Sequence, residues 1–511
     1  MSRVKKIIQN AKVSTFFYFV GVPIYFFSRK IFLNFLGDEF VGITSTLQGF
    51  LGFLNIAELG IGTAIGYAIY KPLFKNDHVE INNIINLIGY LYKKIGTIVL
   101  VCGIILSFFF PLIFSSSTIS LSIIYFLFYS YLCSALLSYF YNFNLLLLQA
   151  DQKGYIVTKH FQTINLLKVV FQSLVAYYFK SYVLWISLDI FFSIIFNLII
   201  RKKMKSEYPW LITHKSKELI RQYSHIISKI KRISVHKLST FILTGTDQIL
   251  IFSFVSLESV AIYGNYILIK SNFAGLLNNF FSGIGAGVGN LVAENNKVQI
   301  NSVFWQMMNL RFYIAGFTFI VLFNTIDPFI TMWLGSQYVL EGSVLILILT
   351  NLFINQIRAT VDSFIQAYGL YEDTWAPITE STLNLGISLI LGYYWGIAGI
   401  MLGTMISLSA IVLLWKPYYL FTKGFEGKVL QYWAGFLKLV LIFCITYYLV
   451  TKIKVVLALN HGESILDFII FSIQISLITL VLYGLFLYAT NSAYRIVMKR
   501  IYTILISIFK K

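Results

Sequence analysis

Residues 182–200 read YVLWISLDIFFSIIFNLII, and residues 201–237, which follow directly, read RKKMKSEYPWLITHKSKELIRQYSHIISKIKRISVHK. Asp189 is the only charge in the first stretch. A bilayer core of about 30 Å is crossed by about 20 mostly apolar residues in a helix. The second stretch carries Arg201, Lys202, Lys203, Lys205, Lys215, Lys217, Arg221, Lys229, Lys231, Arg232 and Lys237 against only Glu207 and Glu218. An apolar crossing that runs into a dense basic segment reads as a membrane helix with its cytoplasmic loop.

The pattern repeats along the chain in both directions. Apolar spans fall near 13–36, 40–70, 84–114, 119–148, 160–180, 182–200, 233–255, 258–292, 304–334, 340–366, 374–394, 397–416, 431–451 and 464–489. Charged residues make up 12% of the chain, about half the share of a soluble domain. The runs are continuous rather than alternating, which excludes a β-barrel. The expected fold is therefore an all-α polytopic membrane protein of about 14 transmembrane helices. Six spans precede the basic segment, six follow it and two close the chain. This predicts an N-terminal six-helix lobe over 1–200, a cytoplasmic linker over 201–237, a C-terminal six-helix lobe over 238–416, and two extra helices with a basic tail over 417–511. A faint internal echo supports duplicated bundles around a central cavity: Gly60-Ile61-Gly62 in span two and Gly283-Ile284-Gly285 in span eight.

Loop charges set the orientation. Arg3, Lys5, Lys6 and Lys12 precede span one, and Arg495, Lys499, Arg500, Lys510 and Lys511 follow span fourteen. With an even number of spans between them, both termini and the 201–237 segment are expected in the cytoplasm. The loops at 115–118, 256–257, 335–339 and 395–396 then face outside and carry no Lys or Arg, whereas 452–463 is an exception with Lys452 and Lys454. The net charge of +19 is explained by this distribution and by anionic lipid headgroups, so no nucleic-acid partner is expected. The tail 491–511 mixes apolar and basic residues at helical spacing and reads as an interfacial helix. No cleavable signal is read, because the first apolar run is too long.

Little soluble chemistry is encoded. Cys102, Cys133 and Cys444 sit inside apolar spans and read as packing residues, and the six His show no metal spacing. No metal site, catalytic site or cofactor is expected. The run Gly283–Gly289 lacks a dinucleotide fingerprint, and no P-loop occurs. Glycines four apart, at Gly62 and Gly66, Gly283 and Gly287, Gly285 and Gly289, and Gly392 and Gly396, suit close helix packing.

Two blocks carry a family likeness. One is Ser28-Arg29-Lys30-Ile31-Phe32 with Leu36-Gly37-Asp38-Glu39-Phe40-Val41-Gly42; the other is Ala57-Glu58-Leu59-Gly60-Ile61-Gly62-Thr63-Ala64 with Tyr70-Lys71-Pro72-Leu73. Over residues 25–75 the chain resembles the bacterial polysaccharide transporter family, the Wzx-type oligosaccharide-lipid flippases of the multidrug/oligosaccharidyl-lipid/polysaccharide superfamily. The resemblance implies translocation of sugar repeat units on undecaprenyl diphosphate across the cytoplasmic membrane, for O-antigen, capsule or a similar polymer. It implies two six-helix bundles facing a cationic cavity. Membrane lipids are expected as further partners, and the resemblance implies polymerase and chain-length proteins of such a pathway as candidates.

A diphosphate in hydrocarbon must meet cations, so charges inside spans are the informative residues. The substrate-binding candidates are Lys270, Arg29, Arg311, Arg358 and Lys168, with Lys270 near the middle of span eight. Asp247, flanked by Thr244 and Thr246, and Asp362 are the candidates for coupling to an ion gradient. Each has a structural alternative. Arg29, Lys30 and Lys438 can snorkel. Lys168 and Arg311 lie about two turns from the inner face. Arg358 and Asp362, four apart, can simply pair. Asp247 and Glu58 can pack inside a lobe, and Asp327 before Pro328 can mark a helix break. Two other functions fit less well. A multidrug exporter of this superfamily usually lines its cavity with acids, whereas cations are in excess here. A membrane glycosyltransferase needs a large outside loop, and Asp38-Glu39 reads better as a helix cap.

Overall fold

A computed structural model describes residues 3–55, 61–212, 219–224, 226–227, 230, 234, 238, 241–243, 245–281, 288–289, 291–292, 294–370, 372–462 and 464–509. The described chain is helical and forms two compact units, Met1–Ala261 and Ile262–Lys511. Its long helices are α1 (Arg3–Leu36), α2 (Asp38–Leu54), α3 (Ile61–Lys75), α4 (His78–Ser107), α5 (Leu121–Tyr141), α6 (Gly154–Phe179), α7 (Tyr182–Glu207), α8 (Leu257–Phe281), α9 (Lys297–Trp333), α10 (Gly342–Ala367), α11 (Trp375–Leu408), α12 (Val429–Val456), α13 (Ile465–Thr490) and α14 (Ser492–Phe509). Among the described residues, nine helices are long and apolar enough to cross a membrane, counting Trp375–Gly424 as one. The polytopic membrane fold read from the sequence is the one observed.

α13 shows why these helices need a membrane. It buries Phe471, Ile475, Thr479, Tyr483 and Leu487, every fourth residue, while Leu466, Ile470, Ile473, Leu477 and Leu485 stand exposed. A helix apolar on its exposed face as well as its packed face is solvated by lipid. Cys102, Cys133 and Cys444 also lie on exposed surfaces, unbridged, rather than in the packed interior expected of them. α6 and α8 fall short of the apolar criterion for a physical reason. α6 carries Asn165, Lys168 and Gln172, and α8 carries Asn265, Lys270 and Asn272. Polar residues inside a span are costly unless they face protein or a polar cavity.

The N-terminal unit is bound along α1–α6, α5–α7 and α6–α7 packing, with a core that includes Phe40, Ile85, Phe128 and Ile186. The lobes expected from sequence divide before 238, whereas the compact units divide after Ala261. The short helix Asp247–Phe254 packs on α2, which places 241–261 in the first unit. A Cβ on Gly42 would lie 2.0 Å from the Leu257 carbonyl oxygen, and one on Gly49 would lie 3.2 Å from Ile249. Two clasps close this unit at its ends. Glu39, at the start of α2, accepts from Ser117 Oγ at 2.6 Å, from the Thr118 amide at 2.8 Å and from Thr118 Oγ1. At the other end Asp151 accepts from Lys6 Nζ at 2.7 Å and Tyr208 OH at 2.8 Å, while Lys153 lies 3.0 Å from Asp151 and 3.2 Å from Glu207. Burial raises the Asp151 carboxyl, but the hydrogen bonds from Lys6, Tyr208 and Lys153 outweigh it and hold its pKa below the ordinary carboxylate value.

The second unit centres on α9, α10 and the C-terminal helices, with Phe304, Phe312, Phe364, Tyr432 and Tyr483 in its core. α11 doubles back at Gly396, whose φ of 54° and ψ of −131° suit glycine alone. A Cβ on Gly399 would lie 2.0 Å from the Leu391 carbonyl oxygen, and one on Gly403 would lie 2.6 Å from the Ser388 amide. The sequence expectation of two spans joined at 395–396 is met by this hairpin. Gly396 provides the reversal, and the close packing read into Gly392 is made with Gly399, whose Cβ would lie 2.8 Å from the Gly392 amide, with Gly403 adding a second close approach. Gly62, Gly66, Gly283, Gly285 and Gly287 lie outside the described side chains, as do Glu58 and Thr244.

Candidate functional site

In the N-terminal unit, α5, α6 and α7 line a cavity of about 210 Å³. Its polar side chains arise at helical spacing: Ser134 and Ser138 on α5 and Asn142, which caps its C-terminus, repeat every four residues, and Ser193 and Asn197 do so on α7. They meet across the helices. Ser134 Oγ donates to Ser193 Oγ at 2.9 Å, and Asn142 Nδ2 donates to Asn197 Oδ1 at 2.7 Å. Asn165 Nδ2 donates to Tyr25 OH on α1 at 2.7 Å. Lys168 Nζ donates to Asp189 Oδ1 at 2.7 Å, with the carboxylate side chain only 9% exposed. The pair balances two charges that neither helix would carry alone in a membrane.

Arg29, the other candidate of this unit, is half-buried on α1 and donates from Nη2 to the Ala261 carbonyl oxygen at 2.9 Å. It joins α1 to the first turns of α8. Lys30 beside it is exposed. Asp247 is half-buried as the first residue of its short helix, just after Thr246, whose hydroxyl donates back to the Ile242 carbonyl.

The second unit holds a denser set of charges. On α10, Arg358 Nε donates to Asp362 Oδ2 at 3.0 Å, as the four-residue spacing predicts. Arg358 Nη1 also reaches Glu380 Oε1 on α11 at 3.3 Å, and Lys416 Nζ reaches Asp362 Oδ1 at 2.8 Å. The result is two acids and two bases, with Glu380 only 2% exposed and Lys416 placed between two wide π-helical stretches. Arg311 on α9 is buried and donates from Nη1 to Gln356 Oε1 at 3.2 Å, two residues before Arg358 on α10. Lys270 is half-buried at the middle of α8. Elsewhere in this unit Asp327 accepts from Tyr266 OH at 2.6 Å, so it is bonded as well as adjacent to Pro328. Lys438 donates to the Thr490 carbonyl at 2.5 Å, capping the end of α13.

The structure thus joins Arg358 with Asp362, while Arg311 on α9 is tied to Gln356, two residues before Arg358 on α10. Lys168 and Arg29 occupy separate places in the first unit. Sequence reasoning passed over Glu380 and Lys416, although a lone acid at Glu380 inside an apolar span was the available signal. It also passed over the amides and hydroxyls around Lys168, whose spacing along α5 and α7 was visible. Among the described residues no group of three His, Cys, Asp or Glu is placed to hold a metal ion.

No family model matches the chain, and no curated protein matches it either. Solved structures do. The inward closed conformation of the lipid II flippase MurJ superposes with a TM-score of 0.66 at 15% identity, covering 94% of this chain and 99% of MurJ. An inward-facing multidrug resistance MATE family transporter of the MOP superfamily superposes with a TM-score of 0.57 at 15% identity, covering 78% of this chain and 94% of the transporter. An outward-facing MATE structure gives 0.53 at 14% identity, over 81% of this chain and 95% of that one. The chain has the helical membrane fold seen in MurJ and in the MATE transporters.

Proposed function

We propose that this protein flips undecaprenyl-diphosphate-linked oligosaccharide repeat units across the cytoplasmic membrane, with both termini and the 201–237 segment on the cytoplasmic side. The observation that carries this reading is the near end-to-end match to a lipid-linked-substrate flippase: 94% of this chain against 78% for the inward-facing multidrug transporter. The difference is about the length of α12 through α14. Cations within the membrane-spanning helices support an anionic substrate. Lys270 stands at mid-helix, and Arg311 is buried on α9. A diphosphate entering hydrocarbon needs such charges, since its desolvation is otherwise prohibitive. The local likeness over residues 25–75 to polysaccharide transporters favours a surface-polymer repeat unit as the cargo.

The test is reconstitution into proteoliposomes carrying a fluorescent undecaprenyl-diphosphate oligosaccharide. Translocation is read as loss of protection from a membrane-impermeant glycosidase. The expected result is translocation that depends on the protein and on Lys270. Extrusion of organic cations with no movement of the lipid-linked sugar would replace this reading with the multidrug one.

A further inference from the structure

The cavity among α5, α6 and α7 has features that the translocation of a diphosphate does not require. Its lining mixes polar groups with a larger share of apolar surface and is electrically balanced, because the Lys168 ammonium is met by the Asp189 carboxylate at 2.7 Å. A pocket for a phosphate would present an excess of cations. Around that pair stand the amides of Asn142, Asn165 and Asn197 and the hydroxyls of Ser134 and Ser193, which offer donors and acceptors in both directions. Phe161, Phe192 and Phe196 supply flat apolar faces on the same walls, with Phe161 and Phe196 edge to face at 5.5 Å. The volume, about 210 Å³, is below the range of roughly 300–1,000 Å³ that holds a drug-sized ligand. It suits one small ring rather than a larger ligand. The mouth lies beside Ser138 and Phe161, both exposed.

Neutral hydroxyl-rich rings are recognised by this combination. Amides and hydroxyls replace the water around the sugar hydroxyls, and aromatic faces cover the apolar C–H face of the ring. We propose that the α5–α7 cavity is a monosaccharide subsite that takes one neutral sugar ring of the cargo, apart from the cations that meet the diphosphate. This deepens the flippase reading and rests on it for the source of the sugar. Asn165 and Asn197 hold the hydroxyls, Phe196 covers the ring face, and the Lys168–Asp189 pair closes one wall without adding net charge.

The proposal is tested on the full-length purified protein, with Cys102, Cys133 and Cys444 changed to Ala and a single reporter introduced by Ser138→Cys. The rate of alkylation by a soluble maleimide is measured with neutral methyl glycosides of common hexoses and N-acetylhexosamines, with inorganic diphosphate, and with glycerol. At least one glycoside should slow alkylation by about threefold at twice its Kd, as simple mass action requires, while diphosphate and glycerol do not. A protein retaining Cys102 as its only thiol reports non-specific slowing and should show none. Asn165→Leu should abolish the protection. So should Phe196→Leu, which keeps every polar group, provided each variant elutes as a monodisperse peak. Absence of protection by every glycoside, equal protection by diphosphate, or protection that survives both variants overturns the subsite and leaves a water-filled cavity. Protection without lipid-linked-sugar translocation refutes the flippase reading alone, whereas translocation without protection refutes the subsite alone.

Discussion

Replacing Asp362 by Asn should be among the more damaging single changes in the second unit, and the loss should be partly reversed by removing Lys416 as well. Asp362 accepts from Arg358 at 3.0 Å and from Lys416 at 2.8 Å, and its side chain is only 26% exposed. With Glu380 the cluster sums to zero charge. Asp362→Asn leaves two cations against one buried carboxylate. Each charge-assisted hydrogen bond contributes about 1.5–3 kcal/mol, and breaking a buried pair from one side costs about 3–5 kcal/mol, most of it the stranded charge. Adding Lys416→Met removes the stranded cation and restores neutrality among Arg358 and Glu380. The double variant should therefore be more stable than Asp362→Asn alone, with a coupling of about 1–3 kcal/mol. Unfolding free energy by SDS titration in mixed micelles measures all four corners of the cycle. Strict additivity, with the double variant losing the sum of the two singles, would refute the charge-balance argument. Glu380→Gln should cost less than Asp362→Asn, because Glu380 holds one partner at the longer distance of 3.3 Å.

The other expectations concern transport, coupling, topology and pH. Lys270→Ala should abolish translocation in proteoliposomes at normal protein level and Lys270→Arg should keep part of it, and full translocation by the alanine variant would remove Lys270 from the path. Imposed proton or sodium gradients should stimulate flipping by the native protein but not by Asp247→Asn; equal stimulation of both would end its assignment to coupling. A cysteine placed near Lys215 should resist impermeant thiol reagents in intact cells, and labelling there would invert the topology. The Asp151 pKa is lowered in the folded protein, so its contribution to stability is present above the unfolded value near 3.8 and is lost as pH falls through the lower folded one. Asp151→Asn should cost about 1–3 kcal/mol at neutral pH and nothing further in strong acid, which thermal unfolding across a pH series would read.

The fold was legible because a membrane simplifies the code. Apolar length and basic loops suffice to read spans such as 182–200, and the reversal at 395–396 shows as a short break holding Gly396. What lay beyond sequence reasoning was contact between distant segments. Gly42 packs against the Leu257 carbonyl so closely that a Cβ there would lie 2.0 Å from its oxygen, yet nothing in either local sequence predicts the partner. The site was legible to the degree that chemistry stays on one helix. Arg358 and Asp362 are four apart and pair, while Glu380 and Lys416 come from elsewhere in the chain to complete the group. The cavity polar groups were visible singly, as Ser134, Ser138 and Asn142 at every fourth position, but their convergence with Ser193 and Asn197 requires the packing of α5 on α7.

The clasps at the two ends of the N-terminal unit constrain how it can move. Glu39 ties the start of α2 to 117–118, and Asp151 ties the start of α1 to the end of α7 through Lys6, Lys153, Tyr208 and Glu207. A bundle fastened at both poles resists internal shear, because sliding one helix past its neighbour would break the Glu39 hydrogen bonds at one pole or the Asp151 ion pairs at the other.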